Sequence, residues 1–197
     1  MKDYDAILFM CRIVEAHDGI TGHHVERVKR ISVRIAKAIG IDEEESEYIG
    51  RAAQIHDIGK IQIPAHILRK PGTLTPGEYE IVKQHPVLGA KIIAARKYNS
   101  FFHLASEIIL THHERWDGTG YPYGLKMEEI PLPGRIVTIA DVFDALTHER
   151  HYKPAWPVNK VVDYIKQESG KMFDPSIVDI LFSSDKLRHI FKTGNIS

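Results

Sequence analysis

Apolar residues recur along this chain at intervals of three and four, the spacing of one face of an α-helix. The first such run covers about 4–16. A second, about 21–39, places Val25, Val28, Ser32, Ile35 and Ile39 on one face and stops at Gly40. Asp42 predicts the N-cap of a third helix, with Glu45 three residues on as a capping box. Its stripe of Ile49, Ala52 and Ala53 leads to His56, so an imidazole falls on the buried face. An unpaired polar ring there is costly. Pro64 opens a short helix before the turn at Lys70-Pro71-Gly72. Thr75-Pro76-Gly77-Glu78 reads as N-cap, first-turn proline and first-turn acid, and begins a helix carrying Ile81 and Val82 towards His85. Pro86 disfavours a helical His85, so the spacing predicts a bend there. Helices follow over about 87–98 and 101–113, the second with Ala105, Ile108, Ile109 and His112 in one stripe.

The stretch 116–133 is rich in glycine and proline and long for a plain connection, which marks it as functional. Helices over about 134–147 (Ile136, Ile139, Ala140, Phe143, Leu146), 157–168 and 175–182 follow it. The last dozen residues are expected to be peripheral. No stretch reads as a strand, a repeat or a low-complexity run. The expectation is an all-α fold, one compact helical domain over 1–197.

Composition narrows the function. The 26 Lys and Arg balance the 26 Asp and Glu, which argues against holding long nucleic acid by bulk charge. A small anionic ligand held by local charges remains open. One cysteine, Cys11, excludes an intrachain disulfide and cysteine-based zinc binding. The first residues carry acids among their apolar positions and lack a small-residue cleavage site, and no run approaches a membrane span. A cytoplasmic protein with no membrane partner is expected. Histidine, the commonest metal-ligating side chain, occurs 12 times.

Five of those histidines and two aspartates stand beside helix ends: His24, His56-Asp57, His85, His112-His113 and Asp141. Neighbours on a regular helix diverge by roughly 100°, so one small ion cannot easily use both members of a pair. Two ions, or a distorted helix end, can. Asp57 has two oxygens and can bridge two cations; His56 can bind only one. Two six-coordinate ions offer about twelve positions. A bridging Asp57, the six other side chains and a bridging hydroxide leave about two for substrate oxygens. Cations so paired clamp a phosphoryl group and activate the water between them. Mixed imidazole and carboxylate ligands suit iron, manganese, nickel or zinc better than calcium or magnesium. Lys60 shares the face of His56 and Asp57 if their helix continues.

The segments Thr21-Gly22-His23-His24-Val25-Glu26-Arg27-Val28, His56-Asp57-Ile58-Gly59-Lys60, Ile63-Pro64, Lys70-Pro71-Gly72, His112-His113-Glu114-Arg115-Trp116-Asp117-Gly118-Thr119-Gly120-Tyr121-Pro122, Ile130-Pro131 and Ala140-Asp141-Val142-Phe143-Asp144-Ala145-Leu146 resemble the HD-GYP domain. This is a branch of the HD phosphohydrolase superfamily. The resemblance is strongest over 18–175. It implies an all-α HD-type domain that hydrolyses cyclic di-GMP to pGpG or GMP at a centre of two divalent ions, iron or manganese, with a third left open. It implies His24, His56, Asp57, His85, His112, His113 and Asp141 as metal ligands. Asp57 would be the bridge and Lys60 the catalytic contact to phosphate or attacking water. Gly120, Tyr121 and Pro122 form the signature loop. With Lys60, Arg115, Arg150 and Lys153 they are the candidate substrate contacts.

Departures from the pattern are His151, where the family has proline, and Ile20, where some trinuclear members carry an acid. The second weakens the case for a third ion. No receiver or sensor unit is read in the chain, which leaves regulation to a protein partner; oligomeric state stays open. A related phosphohydrolase of another cyclic dinucleotide or nucleotide, and a non-catalytic ligand-binding module, are the competing readings. Glu114, Arg115 and Asp117 either orient ligand histidines or staple the loop. Asp144 either supports the site or is a helix-face acid. His17, His23, His66, His103, His148, His151 and His189 read as surface or supporting residues.

Overall fold

The computed structural model describes residues 2–17, 23–94, 99–149 and 154–183. Among them the helices are α1 (Lys2–His17), α2 (His24–Ala38), α3 (Glu43–Ala53), α4 (Ala65–Leu68), α5 (Pro76–Val82), α6 (His85–Ala94), α7 (Ser100–Thr111), α8 (Leu132–Thr147), α9 (Val158–Gln167) and α10 (Pro175–Ser183). Short 3-10 turns occupy Ile58–Gln62 and Met127–Glu129. The described residues contain no strand, only an isolated bridge between Ser169 and Phe173. The all-α expectation holds.

The predicted stripes are the core. Val25, Val28, Ile35, Ile49, Ala52, Ala53, Ala105, Ile108, Ile109, Ile136, Ile139, Ala140 and Phe143 are all buried in one cluster. α2 lies at its centre and packs most extensively on α3 and α8, while α6 packs on α7 and on the 58–62 turn. Gly134 lets α8 approach α7: a Cβ there would collide with the Thr111 side chain.

Three local outcomes differ from the periodic reading, and each bears on the candidate ligands. α3 ends at Ala53, because Ile55, His56 and Ile58 donate to carbonyls three residues back. Such bonds tighten the chain into a 3-10 turn. His56 and Asp57 therefore sit on a distorted helix end, the alternative that relieves their divergence. α6 begins at His85, with Pro86 in its first turn. A first-turn proline loses no helical hydrogen bond, so the bend falls one residue earlier than expected. α2 begins at His24, and His23 before it has a left-handed backbone (φ 83°). The capping predictions fare better. Asp42 accepts from Glu45 N at 2.8 Å, and Thr75 and Glu78 form a complete capping box.

Candidate metal centre

Elements distant in sequence converge on one point. α2 contributes His24, the turn after α3 His56 and Asp57, α6 His85, the end of α7 His112 and His113, and α8 Asp141. Ligand atoms of Asp57, His85, His112 and His113 lie within 4.8 Å of one another, as do those of His24, His56 and Asp141. His24, His56, His85 and His112 are buried, while the side chains of Asp57 and Asp141 keep 16% and 17% exposure. The four buried imidazoles form a floor, and the two carboxylates keep partial contact with solvent.

The outer ring nitrogens explain how the floor is oriented. His56 Nδ1 lies 2.6 Å from Ala53 O and His85 Nδ1 2.8 Å from Val82 O. His112 Nδ1 lies 2.9 Å from Ile109 O, and His24 Nδ1 2.6 Å from Asp144 Oδ2. Each acceptor holds a proton on Nδ1, which leaves the Nε2 lone pair directed inward. Asp144 is itself gripped by Arg27, through Nε and through Nη2 at 3.1 Å, and by His148 at 3.1 Å. Burial would raise the Asp144 pKa, but hydrogen bonds from His148, His24 and Arg27 hold it well below the usual range.

The inward atoms call for a cation. His24 Nε2, His56 Nε2 and Asp57 Oδ1 are buried without a hydrogen-bond partner, a costly state for polar atoms. Asp57 Oδ1 lies 3.2 Å from His85 Nε2 and 3.7 Å from His112 Nε2; its Oδ2 lies 3.4 Å from His56 Nε2. Asp141 Oδ1 lies 3.5 Å from His24 Nε2 and 3.9 Å from His56 Nε2. Ligands bound at about 2.1 Å stand roughly 3.0–3.4 Å apart around one ion. The donor set therefore fits cations, and the two Asp57 oxygens address the two groups separately.

Electrostatics agree. Burial pushes the His56 pKa down, but the carboxylates of Asp57 and Asp141 outweigh it and raise it to about 9. Burial also disfavours an ionised Asp57, yet Lys60 and His56 hold its pKa well below the ordinary range. Burial lowers His112, and burial with the neighbouring imidazoles lowers His113. The site keeps Asp57 ionised and attracts positive charge.

Lys60 Nζ is 2.8 Å from Asp57 Oδ2. On a 3-10 turn residues three apart eclipse, so Lys60 aligns with Asp57. Gly59 makes room for the neighbouring helix. A Cβ there would strike the His85 carbonyl and the Gly89 nitrogen, so its absence lets the turn lie against α6.

The glycine-rich loop lies over His113. Tyr121 N donates to His113 O at 3.2 Å, and the Tyr121 ring stacks on His113 at 4.8 Å and 21°. Gly120 permits this approach, since a Cβ would meet the backbone of residues 113–115. The Tyr121-Pro122 peptide is cis. Buried Glu114 accepts from Tyr123 N at 2.7 Å and anchors the loop from below. Arg115 bonds Thr119 Oγ1 and Glu168 Oε2, each at 3.0 Å. It ties the loop to the segment after α9. Arg150 and Lys153, the other basic candidates, lie outside the described residues.

One support escaped the sequence reading. Glu15 is buried on α1 and accepts from Val25 N at 2.6 Å, capping α2 beside His24 where His23 makes no side-chain cap. Its signal is an acid beside the apolar stripe of Ile7, Cys11 and Val14. His148, one of the histidines read as surface or supporting, reaches Asp144 one turn away.

Comparison with known proteins agrees with this geometry. The family model described as HD domain matches residues 9–177. A cyclic di-GMP phosphodiesterase of Thermotoga maritima is 44% identical over 93% of this chain and 50% of the relative. The cyclic di-GMP phosphodiesterase response regulator RpfG of Xanthomonas campestris is 42% identical over 91% of this chain and 47% of the relative. A 3'3'-cGAMP-specific phosphodiesterase of Vibrio cholerae is 41% identical over 87% of this chain and 33% of the relative. Among solved structures, the HDG"Y"P protein of Bdellovibrio bacteriovorus aligns with a TM-score of 0.64 at 22% identity, over 82% of this chain and 51% of that one. The HD domain of the L. monocytogenes phosphodiesterase PgpH aligns with a TM-score of 0.61 at 18% identity, over 94% and 98%. The chain belongs to the HD domain family, and its resemblance to the HD-GYP branch is borne out. It spans about half the length of the first curated relatives it matches. No helix among the described residues is long and apolar enough to cross a membrane.

Proposed function

We propose that this domain is a metal-dependent phosphodiesterase that hydrolyses cyclic di-GMP to pGpG or GMP. The observation that carries the proposal is the division of Asp57 between two ligand groups: Oδ1 faces His85 and His112, and Oδ2 faces His56. His24, His56 and Asp141 would hold one divalent ion and His85, His112 and His113 a second, with Asp57 shared. Iron or manganese suits the mixed imidazole and carboxylate set. Such a pair, when bound, supplies Lewis acidity and a water of lowered pKa.

The remaining work falls to the chain. The backbone and Asp144 acceptors keep Nδ1 protonated, so the lone pairs stay inward. Lys60, beside Asp57 at the half-open face, adds positive charge where a phosphorane oxygen develops negative charge. The Tyr121 ring shields His113 on its outer side.

A second reading is favoured by the 41% identity to the 3'3'-cGAMP-specific relative: the same chemistry on a hybrid cyclic dinucleotide. A turnover assay of anaerobically metal-loaded protein against cyclic di-GMP, 3'3'-cGAMP and a mononucleotide phosphate decides. Preferential cleavage of cyclic di-GMP supports the proposal. Intact dinucleotides alongside a cleaved mononucleotide overturn it.

A further inference from the structure

α5 buries none of its residues, so core packing does not account for its position. Polar pins hold it from outside: the Thr75 capping box, and Lys70 Nζ at 2.6 and 2.9 Å from the Glu78 carboxylate. On the side of the metal centre, the Tyr79 ring meets Tyr121 edge to face at 6.5 Å. Lys83, just past the helix end, places Nζ 5.4 Å from the Tyr79 ring centre and 5.8 Å from that of Tyr121. Tyr121 in turn stacks on His113 and meets His85 at 6.4 Å. A line of aromatic contacts thus runs from α5 to two candidate metal ligands.

Tyr79 is 48% exposed, an unusual state for a large ring beside a site. Lys83 pairs at 2.6 Å with Glu80, whose side chain is 66% exposed. Exposed ion pairs contribute little, so a phosphate can displace this one. A cyclic dinucleotide presents two bases and two phosphates. Asp57, Lys60 and the histidine cluster engage only the phosphate that is cut.

We propose that Tyr79 and Lys83 form a substrate subsite on the rim of the centre, Tyr79 stacking on a purine base and Lys83 pairing with the uncut phosphate. The proposal rests on the phosphodiester reading of the centre. Base–aromatic stacking tolerates any purine, so the subsite would strengthen binding of guanine and adenine dinucleotides alike. The competing account is that Tyr79 merely braces Tyr121.

The test compares metal-loaded full-length wild type, Tyr79→Ala, Tyr79→Phe and Lys83→Met. Metal content and thermal midpoint are measured first, then steady-state kinetics on cyclic di-GMP and 3'3'-cGAMP at several salt concentrations. Tyr79→Ala should raise KM roughly five- to one-hundred-fold, the range of one base stack, on both substrates. Its kcat and metal content should stay unchanged, and Tyr79→Phe should behave as wild type. Lys83→Met should raise KM and flatten its salt dependence. Unchanged KM in both Tyr79→Ala and Lys83→Met overturns the subsite. So does a fall in kcat and metal content at constant KM, which marks a brace. If wild type cleaves neither dinucleotide, the phosphodiester reading fails by itself. Equilibrium dialysis of labelled cyclic di-GMP against the same proteins then judges the subsite: weaker binding by the variants supports it, while equal or absent binding overturns it.

Discussion

His24 Nδ1 and Asp144 Oδ2 stand 2.6 Å apart across 120 residues of chain. Arg27, one turn after His24, closes on the same carboxylate. A buried carboxylate thus fixes a candidate ligand and neutralises a buried guanidinium together. Asp144→Asn removes the charge and keeps the shape. Leaving a buried charge unpaired costs about 3–5 kcal/mol. Losing the carboxylate behind a ligand histidine weakens metal binding roughly 10–100-fold. Urea unfolding and a metal titration check both. Wild-type values in both would remove Asp144 from the site.

Asp57 links the two ligand groups, so its loss should affect both. Asp57→Ala is expected to abolish hydrolysis and to lower metal content to at most one ion per chain. Ligands stabilise by mass action, about 2.7 kcal/mol at one hundred times Kd. A chelator should therefore lower the thermal midpoint of loaded wild type by more than that of Asp57→Ala. Equal chelator sensitivity in the two proteins contradicts the shared carboxylate.

Gly59 shows how narrow the approach of α6 is. Gly59→Ala forces the 58–62 turn away from the His85 carbonyl and Gly89 nitrogen. Overpacking of this kind costs about 1–3 kcal/mol, and more where backbone must move. The turn carries Lys60 and directly follows Asp57, while the element it strikes carries His85, so stability and metal affinity should fall together. A variant with normal stability and normal loading refutes the contact.

Glu114 anchors the loop from a buried position. Glu114→Ala leaves the Tyr123 N–H without the carboxylate it donates to and loosens the loop there. Limited proteolysis should then cut within 117–125, where wild type resists. An unchanged digestion pattern would show that other contacts hold the loop.

Glu78 supplies a pH prediction. Its hydrogen bonds to Lys70 and to the Thr75 backbone lower its pKa from 4.5 to about 2. A depressed carboxylate pKa means that the unfolded chain binds more protons in this range. Its contribution is therefore complete above about 4.5 and disappears as pH falls towards about 2. Glu78→Gln should flatten this part of the stability curve in denaturant titrations between pH 5 and pH 2. An acid limb of the same steepness would exclude the role.

The helical repeat made most of the fold legible, because a buried stripe must recur at 3.6 residues whatever it packs against. Val25, Val28 and Ile35 on α2 and Ile136, Ile139 and Phe143 on α8 are examples. Seven candidate ligands were legible as chemistry, since buried imidazoles and carboxylates need a partner. Less legible were features that depend on one element meeting another. The role of Asp144 depends on Arg27 and His24, which reach it across 117 and 120 residues. Glu15 is an acid beside an apolar stripe, but nothing local links it to the start of a helix ten residues away. The contact of Arg115 with Glu168 spans 53 residues and is equally invisible to local spacing.

By itself, the order of residues determined the helical stripes, the caps at Asp42 and Thr75 and the chemical identity of the candidate ligands. These follow from periodicity and side-chain chemistry, which act locally. Tertiary structure decided which oxygen of Asp57 faces which histidines, where His85 enters its helix, and that Tyr79 and Lys83 stand at the rim. Those relations are set by the packing of distant surfaces, and no local spacing encodes the distance between two helices that meet only on folding.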